Sequence, residues 1–286
     1  MERANLIKKM TSLACIELIK YCNLPPKVMQ KTIFITGAAQ GIGKATALMF
    51  AARGWYVGLF DLNKEGLRQV AEQIGTRHCC YKVTDVTDTE SVKEAIELFV
   101  FRTQSKFDVL FNNAAVIEVG EWENISLDKH KQIIDVNLFG SVNCITQALP
   151  YLKANKQGAS IINMSSASAI YGNPEISVYA ATKSAIRSLT EGLNISLEKY
   201  NIKVSDILPI YVKTNMVNDF YQKYRNVKLE KVKLTAEDVA EVVWQTVHKK
   251  KIHWLVGGDT KLFFFLSKIL PSNILKALTK KILKYK

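Results

Sequence analysis

Short apolar runs alternate along this chain with longer segments whose hydrophobic positions recur at helical spacing. Residues 31–36 (KTIFIT), 55–60, 79–83, 109–111 and 160–164 read as buried strands, rich in β-branched and aromatic side chains. Between them, residues 44–53 predict a helix with Ala45, Leu48, Met49 and Ala52 facing inward. Residues 90–101 predict another, and from about Val178 a third begins, with Tyr179, Lys183 and Ile186 at i, i+4 and i+7. Alternation of this kind implies an α/β chain with a parallel sheet covered on both faces and ligands at the carboxyl ends of the strands.

Further on, Thr235-Ala236-Glu237-Asp238 predicts a capped helix running to about Val247, and residues 252–256 the last strand. The apolar run 261–270 follows, then Pro271-Ser272 and a lysine-rich helix with Ile274, Leu278, Ile282 and Tyr285 on one side. The pattern divides the chain into an extension at 1–28, one large α/β domain at 29–258 and a basic amphipathic tail at 259–286. Residues 1–28 look like an appendage, a short basic helix stopped at Pro25-Pro26. Glu17 interrupts its apolar stretch and no small-residue cleavage site follows, which argues against a secretory signal.

The 286-residue chain is globular in composition, with 48% hydrophobic and 23% charged residues. Its net charge of +13 sits at the ends: residues 29–221 hold 19 basic and 19 acidic side chains, residues 222–286 hold 15 and 5. No basic stripe with interleaved aromatics accompanies this charge, so no nucleic-acid partner is expected. Five cysteines without metal-ligand spacing read as reduced thiols of a cytoplasmic protein, and no metal is expected. No stretch reaches ~18 apolar residues, so no spanning helix is indicated.

The candidate chemistry gathers at the predicted strand ends. Gly37-Ala38-Ala39-Gln40-Gly41-Ile42-Gly43 lies between strand and helix, where backbone N–H groups and a helix N-terminus can hold a pyrophosphate. Asp61 closes the second strand at about the distance at which a Rossmann unit places a carboxylate on the adenine ribose. A carboxylate there repels a 2′-phosphate and Gln40 brings no cation, so NAD(H) is favoured over NADP(H), with Lys44 and Lys64 near enough to soften the preference. Asp85 follows the third strand and Asn112-Asn113-Ala114-Ala115 the fourth. Spacing of four places Tyr179 and Lys183 on one helix face, where an ammonium favours the phenolate and makes Tyr179 a plausible general acid/base.

Together these residues resemble the short-chain dehydrogenase/reductase family in its single-domain branch. Thr36-Gly37-x-x-x-Gly41-Ile42-Gly43 is similar to that family's cofactor loop, and Asn112-Asn113-Ala114-Ala115 to its Asn-Asn-Ala-Gly turn. Asn137 resembles its helix asparagine, and Ser166, thirteen positions before Tyr179, has its serine-to-tyrosine spacing. Residues 209–214 (PIYVKT) resemble its Pro-Gly turn, with Ile210 in place of glycine. The resemblance covers roughly residues 31–214 and implies a single doubly wound Rossmann domain, here with a helical C-terminal extension. It implies that Ser166 bonds the substrate oxygen, that Tyr179 exchanges the proton, and that Lys183 bonds the nicotinamide ribose and lowers the tyrosine pKa. Asn137 would hold a water through a carbonyl freed by a helix kink. Gly37, Gln40, Gly41, Ile42, Gly43, Asp61, Asp85, Val86, Asn113, Tyr179, Lys183, Val212 and Thr214 would line the cofactor. A homodimer or homotetramer, paired through the helices carrying Asn137 and Tyr179, is implied as well.

After Thr214, the apolar Met216, Val217, Phe220, Tyr221 and Tyr224, with Tyr171, point to a lipophilic alcohol or ketone: steroid-, retinoid- or fatty-chain-like. A catalytically silent nucleotide-binding scaffold is the alternative, against which stands the joint presence of Asn137, Ser166, Tyr179 and Lys183. Two readings of the tail stay open. Either it docks on the inner face of a membrane through its apolar run and Lys276, Lys280, Lys281, Lys284 and Lys286, or Phe263, Phe264 and Phe265 pack on the domain or a partner subunit.

Overall fold

The computed structural model describes residues 30–214 and 232–283. Seven parallel strands form one sheet in the order β3-β2-β1-β4-β5-β6-β9. They are β1 (Thr32–Thr36), β2 (Tyr56–Asp61), β3 (Cys79–Val83), β4 (Val109–Asn112), β5 (Ala159–Met164), β6 (Ile202–Pro209) and β9 (His253–Val256). The order reverses between β1 and β4, so the strand ends there open a crevice of the kind in which doubly wound sheets bind ligands. A separate parallel pair, β7 (Val212–Lys213) and β8 (Leu234–Thr235), forms just beyond β6.

Helices cover both faces. One carries α1 (Gly41–Ala52), α2 (Lys64–Ile74) and α7 (Ala236–His248); the other α3 (Thr89–Arg102), α5 (Gly140–Ala154) and α6 (Ser177–Leu197). The first core layer joins Ile33, Ile35, Val57 and Leu59 to Phe50, Leu67 and Val243. The second gathers Phe34, Phe60, Phe99 and Phe107, with the Phe34 and Phe60 rings stacked at 3.9 Å. Adjacent strand residues therefore serve opposite layers, which is why the strands read as continuous apolar runs.

The inward face of α1 differs from the expected one. Ala47 and Phe50 meet the sheet while Ala45 and Met49 pack against Ala236 and Ala240 of α7; Leu48 is half-buried and Ala52 exposed. Two neighbours at different angles bury a wider arc than one periodic stripe announces. The cap of α7 is as expected: Thr235 Oγ1 accepts from Asp238 N, and Asp238 Oδ2 accepts from Thr235 N.

The tail folds as two helices, α8 (Gly258–Ile269) and α9 (Ser272–Leu283), broken at Pro271. Burial on α9 does not follow the apolar side that the pattern marks with Ile274, Leu278 and Ile282. Leu275 and Thr279 are buried and Leu278 half-buried, whereas Ile274 and Ile282 are exposed. Tyr285, residues 1–29 and the apolar series 216–224 lie outside the described residues. No helix among the described residues is long and apolar enough to cross a membrane.

Candidate active site

Because all seven strands run parallel, their carboxyl ends share one edge of the sheet, and Gly37, Asp61, Asp85, Asn113, Ser166 and Val212 all follow or close strands there. The first turn after β1 is held by glycine geometry. Gly37 and Gly41 have positive φ (65° and 53°), and a Cβ on Gly43 would sit 2.0 Å from the Gly37 carbonyl oxygen. From β4, Asn113 Nδ2 donates to the Thr36 and Gly37 carbonyls at 3.1 and 3.0 Å. Thr36 Oγ1 accepts from Asn113 N and Ala114 N. Asn113 thus acts on the shape of the loop, its amide protons committed to backbone.

No side chain caps the first turn of α1, and no acidic residue stands in it, whereas Asn63 caps α2 and Asp88 caps α3. An uncapped helix N-terminus behind a glycine loop fits an anionic group such as a pyrophosphate. Asp61 lies beside it, fixed by Ala39 N on Oδ2 (3.0 Å) and Asn63 N on Oδ1 (2.9 Å). Asp85 Oδ1 accepts from Thr87 N and Oγ1, and the buried Val86 gives its carbonyl to Asn143 Nδ2 at 2.9 Å. Thr214, after β7, stands over the loop: a Cβ on Gly41 would meet its methyl at 3.4 Å. Gln40 is exposed and Ile42 half-buried at the helix start.

The second group of side chains comes from β5 and α6. Ser166 is extended (φ −161°, ψ 158°) and opens a short turn, its Oγ accepting from Ser168 N and sharing a hydrogen bond with the Tyr179 phenol. Lys183 is buried, and its Nζ donates to the Met164 carbonyl at 2.8 Å while standing 5.5 Å from the centre of the Tyr179 ring. The expected lowering of the phenol by the ammonium is not what this arrangement gives. Burial pushes Tyr179 up to about 12, with the Ser166 hydrogen bond pulling the other way, and burial brings Lys183 down to about 8. Desolvation is the larger effect on the phenol, and the ammonium bonds a backbone carbonyl.

Asn137 sits in a π-helical turn (Asp135–Phe139) that joins α4 (Leu127–Ile134) to α5. Its side chain clamps Val116 in both directions, Oδ1 accepting from Val116 N at 2.8 Å and Nδ2 donating to Val116 O at 2.9 Å. Nδ2 also reaches Thr182 Oγ1, next to Lys183, at 3.3 Å. The helix widens here into a π-turn, and the Asn137 carbonyl, expected to be freed for a water, accepts from Ser141 Oγ.

A buried polar ladder beneath the site was not anticipated. Asn112 Nδ2 donates to Asn163 Oδ1, Asn163 Nδ2 to Thr190 Oγ1, and Thr190 Oγ1 to the Ile186 carbonyl, at 2.8–2.9 Å. Ser165 Oγ donates to the Lys183 carbonyl. These bonds tie β4 and β5 to α6 and fix the height of Tyr179 and Lys183 above the sheet. The signal available in sequence was an asparagine inside each of two apolar strands. Val119, Ile176 and Val232 form a separate buried cluster, with Ile117, Tyr179 and Tyr211 packed against it. Among the described residues, no group of three or more His, Cys, Asp or Glu is placed to hold a metal.

Residues 31–225 match the family model described as short chain dehydrogenase. The 3-oxoacyl-[acyl-carrier-protein] reductase of Thermotoga maritima is 35% identical over 220 residues, covering 74% of this chain and 88% of its own. Cyclohexanol dehydrogenase of an Acinetobacter species is 32% identical over 223 residues, covering 76% and 87%. Among solved structures, the 3-ketoacyl-(acyl-carrier-protein) reductase from Brucella melitensis complexed with NADH superposes with a TM-score of 0.74. It is 27% identical, over 82% of this chain and 100% of that one.

Proposed function

The chain belongs to the short-chain dehydrogenase family, and from that premise we propose that it takes a lipophilic secondary alcohol or ketone and prefers NAD(H). Membership makes it a nicotinamide-dependent oxidoreductase acting on alcohol and ketone groups. The observation that carries the substrate class is the surrounding of Tyr179. It packs against the buried cluster of Val119, Ile176 and Val232, on which Ile117 and Tyr211 also pack, an apolar surrounding that offers little to a sugar-like polyol. The preference for NAD(H) is supported by Asp61, whose two backbone bonds hold its charge beside the glycine loop. A 2′-phosphate there meets a fixed negative charge.

In this reading the uncapped start of α1 and residues 37–43 hold the pyrophosphate, and Asp61 takes the adenine ribose. Asp85 and Val86 flank the adenine, while Val212 and Thr214 close over the nicotinamide end. When bound, the nicotinamide accepts or supplies the hydride. Ser166 orients the substrate oxygen, and Tyr179 takes the alcohol proton or returns one to the ketone. Lys183, in place behind the ring, bonds the nicotinamide ribose and favours the phenolate once a substrate oxygen is also bound. Asn137 keeps the 113–116 segment and Thr182 in register with Lys183, and its carbonyl is the outer end of the proton path.

The domain division is part of this proposal: an extension at 1–28, a catalytic unit at 29–258 and a tail at 259–286. The protein works in the cytoplasm as a homodimer or homotetramer. Ile134, Phe139 and Val142 around the Asn137 turn and Ile195 on α6 are exposed apolar side chains on the helices expected to pair.

Purified protein screened with NAD+ and NADP+ against secondary alcohols of graded chain and ring size tests the proposal. Rising kcat/KM with apolar size, and NAD+ over NADP+, are expected; Asp61→Ala should narrow or reverse the cofactor gap. Preference for polyols, or for NADP+ in the unaltered protein, would overturn it.

A further inference from the structure

On α8, Leu262, Phe265 and Ile269 are 59%, 62% and 59% exposed. Their spacing of three and four puts them on one stripe of the helix. Lys261 and Lys268, each one position before a member of the stripe, lie together on its flank, where long stems can reach along the apolar surface with their charges outward. The opposite side is seated on the domain: Thr260 is buried, and the Phe264 ring lies under the Arg187 guanidinium of α6 at 5.1 Å. On α9, Leu275 and Thr279 are buried as well. The stripe is therefore the outward face of a helix already anchored through Phe264.

We propose that this face docks on an anionic lipid bilayer, with Leu262, Phe265 and Ile269 entering the acyl boundary and the tail lysines meeting headgroup phosphates and carboxylates. The charge selects the occupant. From Gly258 to the end of the sequence there are seven lysines and one acid, Asp259. A second copy on the same face would bring two such lysine clusters together, and repulsion opposes that contact. An anionic membrane supplies the complementary charge and the apolar phase at once. Each lysine near such a surface strengthens binding about fivefold, the equivalent of ~1 kcal/mol. Neither helix spans, so attachment is peripheral and reversible, and it falls with salt. This inference is independent of the substrate and cofactor proposed above.

Flotation of the full chain with phosphatidylcholine vesicles, with and without phosphatidylserine, tests it. The unaltered protein should float with the anionic vesicles and remain below with the neutral ones. The variants Leu262→Ser/Phe265→Ser/Ile269→Ser and Lys276→Gln/Lys280→Gln/Lys281→Gln should each lose at least tenfold in lipid partitioning, at unchanged melting temperature and turnover. If the apolar triple variant misfolds, the single variant Phe265→Trp serves instead, with its added emission expected to move blue on anionic vesicles. Unaltered protein left in the lipid-free fraction, a serine variant that floats like the original, or a tryptophan without a blue shift would overturn the proposal. A serine variant that dissociates a dimer in sedimentation would do so too, by showing that the face belongs to a second copy.

Discussion

Lys183→Met separates what this residue costs the fold from what it does for the reaction. The ammonium is buried and donates to the Met164 carbonyl, and burial takes its pKa from 10.5 to about 8. At ~1.4 kcal/mol per pKa unit, keeping it charged below pH 8 costs the folded state about 3 kcal/mol. Methionine fills a similar volume without charge but leaves the Met164 carbonyl short of a donor, a loss of about 1–3 kcal/mol. The variant should thus be as stable as the parent at pH 7, within about 1–2 kcal/mol, although a buried side chain has been replaced. The sign with pH is distinctive. Folded Lys183 releases its proton near pH 8 and the unfolded chain near 10.5, so the parent gains stability across that window, and the contribution is lost as pH falls through 8. Urea unfolding of both proteins at pH 7 and pH 10 should show the parent gaining about 3 kcal/mol on the variant, while turnover of the variant falls at least ~10²-fold. Parallel stabilities at the two pH values would refute the reasoning, because the lysine would then not be desolvated in the native state.

Tyr179→Phe should lower kcat by ~10²–10⁴ with little change in melting temperature or NADH affinity; a change of a few fold would remove Tyr179 as the proton-transfer group. Since burial holds the phenol up at about 12, alcohol oxidation by the parent should rise with pH well past neutrality, and a flat kcat/KM profile from pH 7 to 10 would speak against it. Gly43→Ala places a Cβ 2.0 Å from the Gly37 carbonyl and should either unfold the loop or cost several kcal/mol in a thermal melt, with NADH binding lost. An alanine variant that melts and binds like the parent would show that the turn is less tight than described.

The sequence by itself determined the alternation of strands and helices, the sheet class and the place of the glycine loop. Each rests on local periodicity or on backbone conformations that only certain residues adopt. It also placed Tyr179 and Lys183 on one helix face, because helix geometry is a local fact, whereas Ser166 and Asn137 entered through the family resemblance. Only the tertiary structure decided which arcs of α1 and α9 are buried, since a neighbouring helix or sheet chooses the face and periodicity does not record the neighbour. Only it revealed the ladder from Asn112 through Asn163 to Thr190, whose partners are 51 and 27 residues apart. The direction of the tyrosine shift was decided there too. A spacing of four brings the ammonium near the ring, but how far both groups are removed from water depends on everything packed around them, and here desolvation raises the phenol and lowers the ammonium.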